Sequence, residues 1–175
     1  MISNFLLGMM ILSYSIPISY IYRNYTNKNQ SISSVIGSDE CQRFILVGMI
    51  IMGTFTVLYE LNRQLVFSGL ISMISMISMI CLLVGIYGVI LVKEDRNIHY
   101  VFAVFVFISI IAFMGMHCWC NFCDNFLNFS LYVQILFLGV LACSMVKDMN
   151  IFFCESFLII NFAIYYLYLH IIYNK

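Results

Sequence analysis

Charged residues and proline are scarce in this chain of 175 residues, and their scarcity excludes most soluble protein classes. Only 9% of the residues are charged and 63% are apolar, whereas soluble globular domains have roughly 25% and 45–50%. Water cannot solvate a surface so poor in charge, which excludes a soluble enzyme and a disordered tail. Eight basic and eight acidic residues cancel, so the chain has no net field to attract DNA or RNA. One proline and nine glycines exclude collagen-like and low-complexity sequences.

Six long apolar runs occupy most of the chain. A helix needs about 20 mainly apolar residues to cross the roughly 30 Å hydrocarbon core of a bilayer. Strands of a membrane barrel would alternate in polarity, and these runs do not. We therefore predict an all-α integral membrane bundle of six transmembrane helices in a single domain. The predicted spans are residues 5–22, 44–61, 65–92, 98–117, 126–146 and 151–173. The third is longer than the core is thick, so we expect it to tilt or to project.

Six spans place both termini at one end of the bundle, the termini end. The first, third and fifth connections, near residues 23–43, 93–97 and 147–150, lie at the opposite end, which we call the odd-loop end. Six of the eight basic residues lie in or beside these connections, which predicts a cytoplasmic odd-loop end. The connections after the first are short, so consecutive helices are predicted to be antiparallel neighbours.

Ionisable residues of the first and third connections form the first candidate site, to which Glu155 at the start of the sixth span adds a carboxylate. Arg43 would hold a lipid phosphate, because a guanidinium forks onto oxyanions. His99 beside a carboxylate could do acid–base chemistry, since its unperturbed pKa lies near neutrality. The simpler alternative is interfacial charge that anchors helix ends among lipid headgroups. The candidate headgroup-binding residues are Asp39, Glu40, Arg43, Glu94, Asp95 and His99.

A cysteine-rich turn between the fourth and fifth spans is the second candidate. His117, Cys118, Cys120 and Cys123 contain the ligand types of a Cys₃His zinc site, but their spacing is unlike that of the usual zinc sites. A disulfide within the turn is an alternative if it faces an oxidising lumen. We favour an interfacial turn anchored by Trp119, with incidental thiols, and expect neither a metal nor a cofactor.

Polar residues inside the spans have simpler explanations. Glu60 and Arg63 lie three residues apart on one helix and are predicted to pair at the membrane interface. Interhelical hydrogen bonds account for isolated polar residues, and close packing of helices accounts for the small residues of the third span. These two sets are Gln134, Asn161 and His170, and Ser72, Ser75, Ser78, Gly85 and Gly88.

Two stretches resemble a known family. Residues 31–37, Ser-Ile-Ser-Ser-Val-Ile-Gly, precede a Gln-Arg pair at 42–43, and residues 82–85, Leu-Leu-Val-Gly, precede Glu-Asp-Arg-Asn-Ile-His at 94–99. Both are similar to segments of the six-span family that joins the post-GPI-attachment lipid-remodelling factor, the FGF-receptor-activating protein and the damage-regulated autophagy modulators. The family's Pro-Arg pair is replaced here by Met-Gly-Thr-Phe at 52–55, and its acidic-Asn pair is absent around 80–81.

The resemblance implies a lipid-linked function in an endomembrane (Golgi, ER or lysosome) or in the plasma membrane. Such functions are GPI-anchor lipid remodelling, membrane lipid organisation and autophagy. It also implies a lumenal or extracellular first loop, opposite to the count of basic residues. The first hypothesis is therefore an accessory protein that binds lipid headgroups at the odd-loop face.

Two alternatives stay open. One is a structural or accessory membrane protein, viral proteins included, with no small-molecule site. The other is an intramembrane lipid acyl-transferase or hydrolase that uses His99 with a carboxylate. Membrane lipids are the expected partners, along with other membrane proteins or further copies of this chain, and no nucleic acid is expected.

Overall fold

The computed structural model describes residues 2–25, 31–36, 42–64, 69–92, 97–121, 124–144 and 150–173. Within these ranges the chain forms α-helices and no strand, which confirms the all-α prediction. The helices are α1 (Ile2–Asn24), α2 (Ile32–Ile36), α3 (Gln42–Gln64), α4 (Leu70–Leu91), α5 (Asn97–Cys120), α6 (Asn125–Ser144) and α7 (Ile151–Tyr173). All except α2 are long and apolar enough to cross a membrane, so the chain is an integral multi-pass membrane protein.

The third predicted span is wrong at its beginning. Gly69 has a φ of 117°, a backbone conformation that interrupts a right-handed helix, and α4 begins at Leu70. The 22 residues of α4 span about 33 Å, close to the thickness of the hydrocarbon core. Its length therefore does not require the tilt or projection that the longer predicted span implied.

The first connection contains a helix that the polar composition of this stretch did not predict. The Ser31 hydroxyl accepts a hydrogen bond from the Ser34 N–H at 3.0 Å, which stabilises the first turn of α2. Val35 and Ile36 are buried and share a hydrophobic cluster with Phe152 of α7. The connection therefore folds back onto the bundle at residues 32–36.

Neighbouring helices pack in sequence order. α1 packs against α3, α3 against α4, α4 along α5, α5 against α6 and α6 against α7, while α2 contacts α1, α4 and α7. Gly85 and Gly88 of α4 are buried against α5, and Ser75 and Ser78 are buried too, which confirms that small residues of this helix pack closely. Large apolar side chains cover the outer surface, as lipid requires.

Candidate functional site

A cavity of about 320 Å³ lies between the helices in the half of the bundle next to the odd-loop end. The odd-loop halves of α1, α4, α5 and α7 form most of its wall, with Met49 of α3 and three residues of α2. Its size is within the usual range of small-molecule sites. The short helix α2 thus contributes to the wall of a cavity that no sequence motif indicated.

The cavity is long and mostly apolar. Its lining extends from Ile90 to Leu82 on α4, which corresponds to about 12 Å along the helix axis. One leaflet of a bilayer contributes about 15 Å of hydrocarbon, half of the core. The middle of the wall is made of aliphatic and aromatic side chains, such as Ile86, Val106 and Ile159. The cavity therefore offers an apolar space nearly as deep as one leaflet.

Polar side chains gather where this cavity approaches the odd-loop end. Apart from two tyrosines, the polar lining residues are Ser33, Glu155 and Ser156. A carboxylate oxygen of Glu155, Oε2, accepts a hydrogen bond from the Ile32 N–H at 2.7 Å, which ties α7 to α2. Ser156 is only 7% exposed, and its Oγ has no hydrogen-bond partner among the described residues. An apolar body with one polar end matches the shape of an amphiphile.

Only two residues of the predicted headgroup cluster lie in the described part of the chain. Asp39, Glu40, Glu94 and Asp95 lie outside the described residues. The Arg43 side chain is exposed on α3, and His99 is buried on α5. Neither residue lines the cavity. Glu155 is the ionisable residue of the odd-loop face that lies at the cavity.

His99 is held within the protein. It is 2% exposed, and its Nδ1 lies 2.8 Å from the carbonyl oxygen of Val92. Nε2 is buried and has no partner among the described residues. The ring therefore anchors the start of α5 to the end of α4, a position that does not favour contact between His99 and a ligand in the cavity.

A buried ion pair lies at the other end of the bundle. Arg63 Nη2 is 2.6 Å from Glu60 Oε2, so the predicted i,i+3 pair forms. Glu60 is 1% exposed and Arg63 is 8% exposed, which places the pair inside the protein rather than on its rim. The hydroxyl of Tyr166 on α7 donates to Glu60 Oε1. Ionisable groups at this depth are costly unless they are paired, and this pair has further partners.

The network continues from Arg63 through three more helices. Arg63 Nη2 is 2.7 Å from Ser75 Oγ on α4 and 3.4 Å from His117 Nε2 on α5. Because a guanidinium only donates, Nε2 accepts, and Nδ1 then carries the proton toward the Tyr173 hydroxyl at 2.9 Å. Asn121 Nδ2 also donates to that hydroxyl, at 2.8 Å. The network joins α3, α4, α5 and α7.

Aromatic rings enclose the guanidinium of Arg63. Its Cζ lies 5.5 Å from the ring centroid of Phe113, 6.0 Å from that of Tyr166 and 5.9 Å from that of Tyr173. Such contacts stabilise a cation away from water. The sequence indicated the Glu60–Arg63 pair but not its burial, since the partners come from distant parts of the chain.

The cysteine-rich turn does not bring metal ligands together in the described residues. His117 Nε2 faces the Arg63 cation, while the Cys118 thiol donates to the Leu127 carbonyl at 3.2 Å. Cys120 is exposed and has a free thiol, and Cys123 lies outside the described residues. Among the residues described, no three His, Cys, Asp or Glu side chains are placed to hold a metal ion.

Amide side chains connect α6 and α7, as the sequence predicted. Asn161 Nδ2 donates to Gln134 Oε1 at 2.7 Å and to the Ser130 carbonyl at 3.1 Å. Asn161 Oδ1 accepts from the Ser130 hydroxyl at 3.0 Å. His170 likewise lies 2.6 Å from the Tyr59 hydroxyl of α3. These contacts confirm that the isolated polar residues of the spans bond between helices.

Replacing Asn161 by leucine is expected to lower the free energy of unfolding by about 0.6–1.7 kcal/mol, the usual value of such bonds in membrane bundles. The change removes both donors to α6 and leaves Gln134, which is buried, without this partner. Unfolding in mixed micelles, titrated with dodecyl sulfate and followed by circular dichroism, measures the loss. Asn125→Leu, at an exposed position of α6, is the control. Equal stability of the two variants would contradict the interhelical role.

No protein-family model, curated protein or solved structure matches the chain. The family resemblance of residues 31–43 and 82–99 therefore stays a prediction. What the helices establish is an all-α, integral multi-pass membrane protein.

Proposed function

We propose that this chain is a lipid-binding accessory protein of the membrane, and that the cavity at the odd-loop end holds the apolar chain of one amphiphile. The observation that carries this proposal is the cavity itself, about 320 Å³ of mainly apolar space with its polar residues at one end. The polar end would hold the head group near the membrane surface, and the wall of α4, α5 and α7 would hold the chain.

Depth supports a lipid over a compact ligand. A lining about 12 Å long is comparable to one leaflet of about 15 Å, so a chain could pass from the leaflet into the cavity at the same depth. Burial of apolar area drives little association inside a bilayer, where lipid already provides an apolar solvent. Shape and the polar end would therefore decide which lipid binds.

The same features favour this proposal over the two alternatives. A purely structural bundle gains nothing from an open space or from a buried hydroxyl at Ser156 without a partner. An acyl-transferase or hydrolase based on His99 is disfavoured, because that ring bonds to Val92 and does not line the cavity. GPI-anchor remodelling, lipid organisation and autophagy, in an endomembrane or the plasma membrane, are compatible settings for lipid binding.

Filling the cavity tests the proposal. Ala103 lines the cavity on α5, and Ala103→Trp would place an indole in its space. Purified protein in phosphatidylcholine nanodiscs is exposed to a photoreactive long-chain alcohol, and crosslinked peptides are measured by mass spectrometry. We expect labelling of α5 and α7 to fall by about tenfold in this variant, which corresponds to about 1.4 kcal/mol of binding free energy.

The matched control is Ala112→Trp, the same change on the exposed face of the same helix. It should leave labelling within about twofold of the unchanged protein, because a lipid-facing indole does not enter the cavity. Circular dichroism of both variants checks that the helices are retained. Equal labelling of the two variants, or labelling confined to the outer surface of the helices, would refute lipid binding in the cavity.

A further inference from the structure

The polar end of the cavity restricts the chemistry of the head group. In the described residues it contains the Glu155 carboxylate and the hydroxyls of Ser33 and Ser156, and no cationic side chain lines it. A head group with a negative charge would face the carboxylate without a counterion among these lining residues. The Arg43 side chain, which the sequence assigned to a phosphate, is exposed and is not part of the wall.

Ser156 provides an independent indication of a ligand. It is nine-tenths buried, it lines the cavity, and its Oγ has no hydrogen-bond partner among the described residues. Buried hydroxyls are normally bonded, so an unbonded one beside a cavity is completed by a molecule that enters it. Ser156 follows Glu155 directly on α7, so a head group at this end of the cavity can reach both side chains.

The Ile32 N–H fixes the orientation of the acceptor. It donates to Glu155 Oε2 at 2.7 Å, which holds the carboxylate between α7 and α2. A carboxylate has about four acceptor positions, so it can accept from a head group as well. Ser156 can either donate to the head group or accept from it.

We propose, on the basis of the lipid-binding function above, that the cavity selects lipids whose head group offers an O–H or N–H donor and carries no negative charge. Glu155 accepts the hydrogen bond of the head group, and Ser156 makes a second one. Two sources share this chemistry, a long-chain alcohol and a long-chain amine.

A head-group series with one constant chain tests the selectivity. In phosphatidylcholine nanodiscs, hexadecanol, hexadecylamine, hexadecyltrimethylammonium and hexadecyl sulfate compete with the photoreactive alcohol for the full-length protein. We expect the alcohol and the amine to compete at about tenfold lower mole fraction than the sulfate. The trimethylammonium, a cation without a donor, should be weaker than the amine. The ratio of alcohol to amine shows which source the site prefers.

Two variants separate charge from hydrogen bonding. Glu155→Gln keeps an acceptor but removes the charge, so discrimination against the sulfate should fall to within about threefold while hexadecanol still binds. Ser156→Ala should weaken hexadecanol and hexadecylamine by about threefold to tenfold. Ser15→Ala, at an exposed position of α1, is the control and should change neither.

The outcomes distinguish this selectivity from lipid binding itself. Equal competition by all four lipids, or stronger competition by the sulfate, overturns the head-group proposal and leaves the cavity as a lipid site. Strong competition by the trimethylammonium together with none by hexadecanol also overturns it, because charge alone would then decide. Labelling that Ala103→Trp does not reduce removes the lipid site and, with it, any selectivity.

Discussion

Replacing Arg63 by methionine is expected to lower the free energy of unfolding by about 3–5 kcal/mol, because it leaves a buried charge without its counterion. Methionine occupies much of the space of the arginine stem but provides no donor. The Glu60 carboxylate, which is almost fully buried, would keep only the Tyr166 hydroxyl of the two donors described here. Ser75 would also lose its bond to the guanidinium. Titration with dodecyl sulfate in mixed micelles measures the loss.

Two comparisons make this result specific. Arg43→Met removes an exposed cation of the same helix and should change stability by less than about 0.5 kcal/mol. The double variant Glu60→Leu with Arg63→Met removes both charges, and apolar replacement of a whole buried pair is often neutral or stabilising. It should therefore recover most of the stability that Arg63→Met loses. A double variant no more stable than Arg63→Met would show that the network contributes more than mutual compensation of charge.

The spans followed from the sequence, but their contacts did not. Long apolar runs specify helices that cross a membrane whatever surrounds them, so six of the seven helices were predicted with only small differences at their ends. The third span failed because a positive φ at Gly69 is a property of the local backbone that hydropathy does not report. Helix α2 failed because five residues are too few for a periodic pattern, and its burial depends on contacts such as Phe152.

The sites depend on rotation of the helices, which this sequence hides. Apolar residues surround each span, so no face is marked as interior. The i,i+3 spacing revealed the Glu60–Arg63 pair, yet Tyr166 lies more than a hundred residues away along the chain. The headgroup prediction reached the correct end of the bundle and the relevant carboxylate, Glu155, but not Ser156, which is an ordinary small residue in an apolar run.

Close contact between α4 and α5 depends on two glycines, and adding a methyl group at either is expected to force the helices apart. A Cβ built at Gly85 would lie 2.7 Å from Val106 Cγ2 and 3.1 Å from the Val106 backbone nitrogen. A Cβ at Gly88 would overlap the ring of Phe102, including its Cγ, which is held close to the backbone of α5. Small residues at such contacts are what allow helix backbones to approach in lipid.

Gly88→Ala should therefore lower the free energy of unfolding by about 2–3 kcal/mol, within the range for overpacked cores, although alanine favours a helix more than glycine does. Gly115→Ala on α5 is the matched control, because nothing lies within 4 Å of its added Cβ. It should be neutral or slightly stabilising, so the two identical substitutions are expected to act with opposite sign. Phe102→Leu in the Gly88→Ala background should recover part of the loss by making room for the methyl group, measured by the same micellar titration. Equal stability of Gly88→Ala and Gly115→Ala would mean that α4 and α5 are not in the close contact described here.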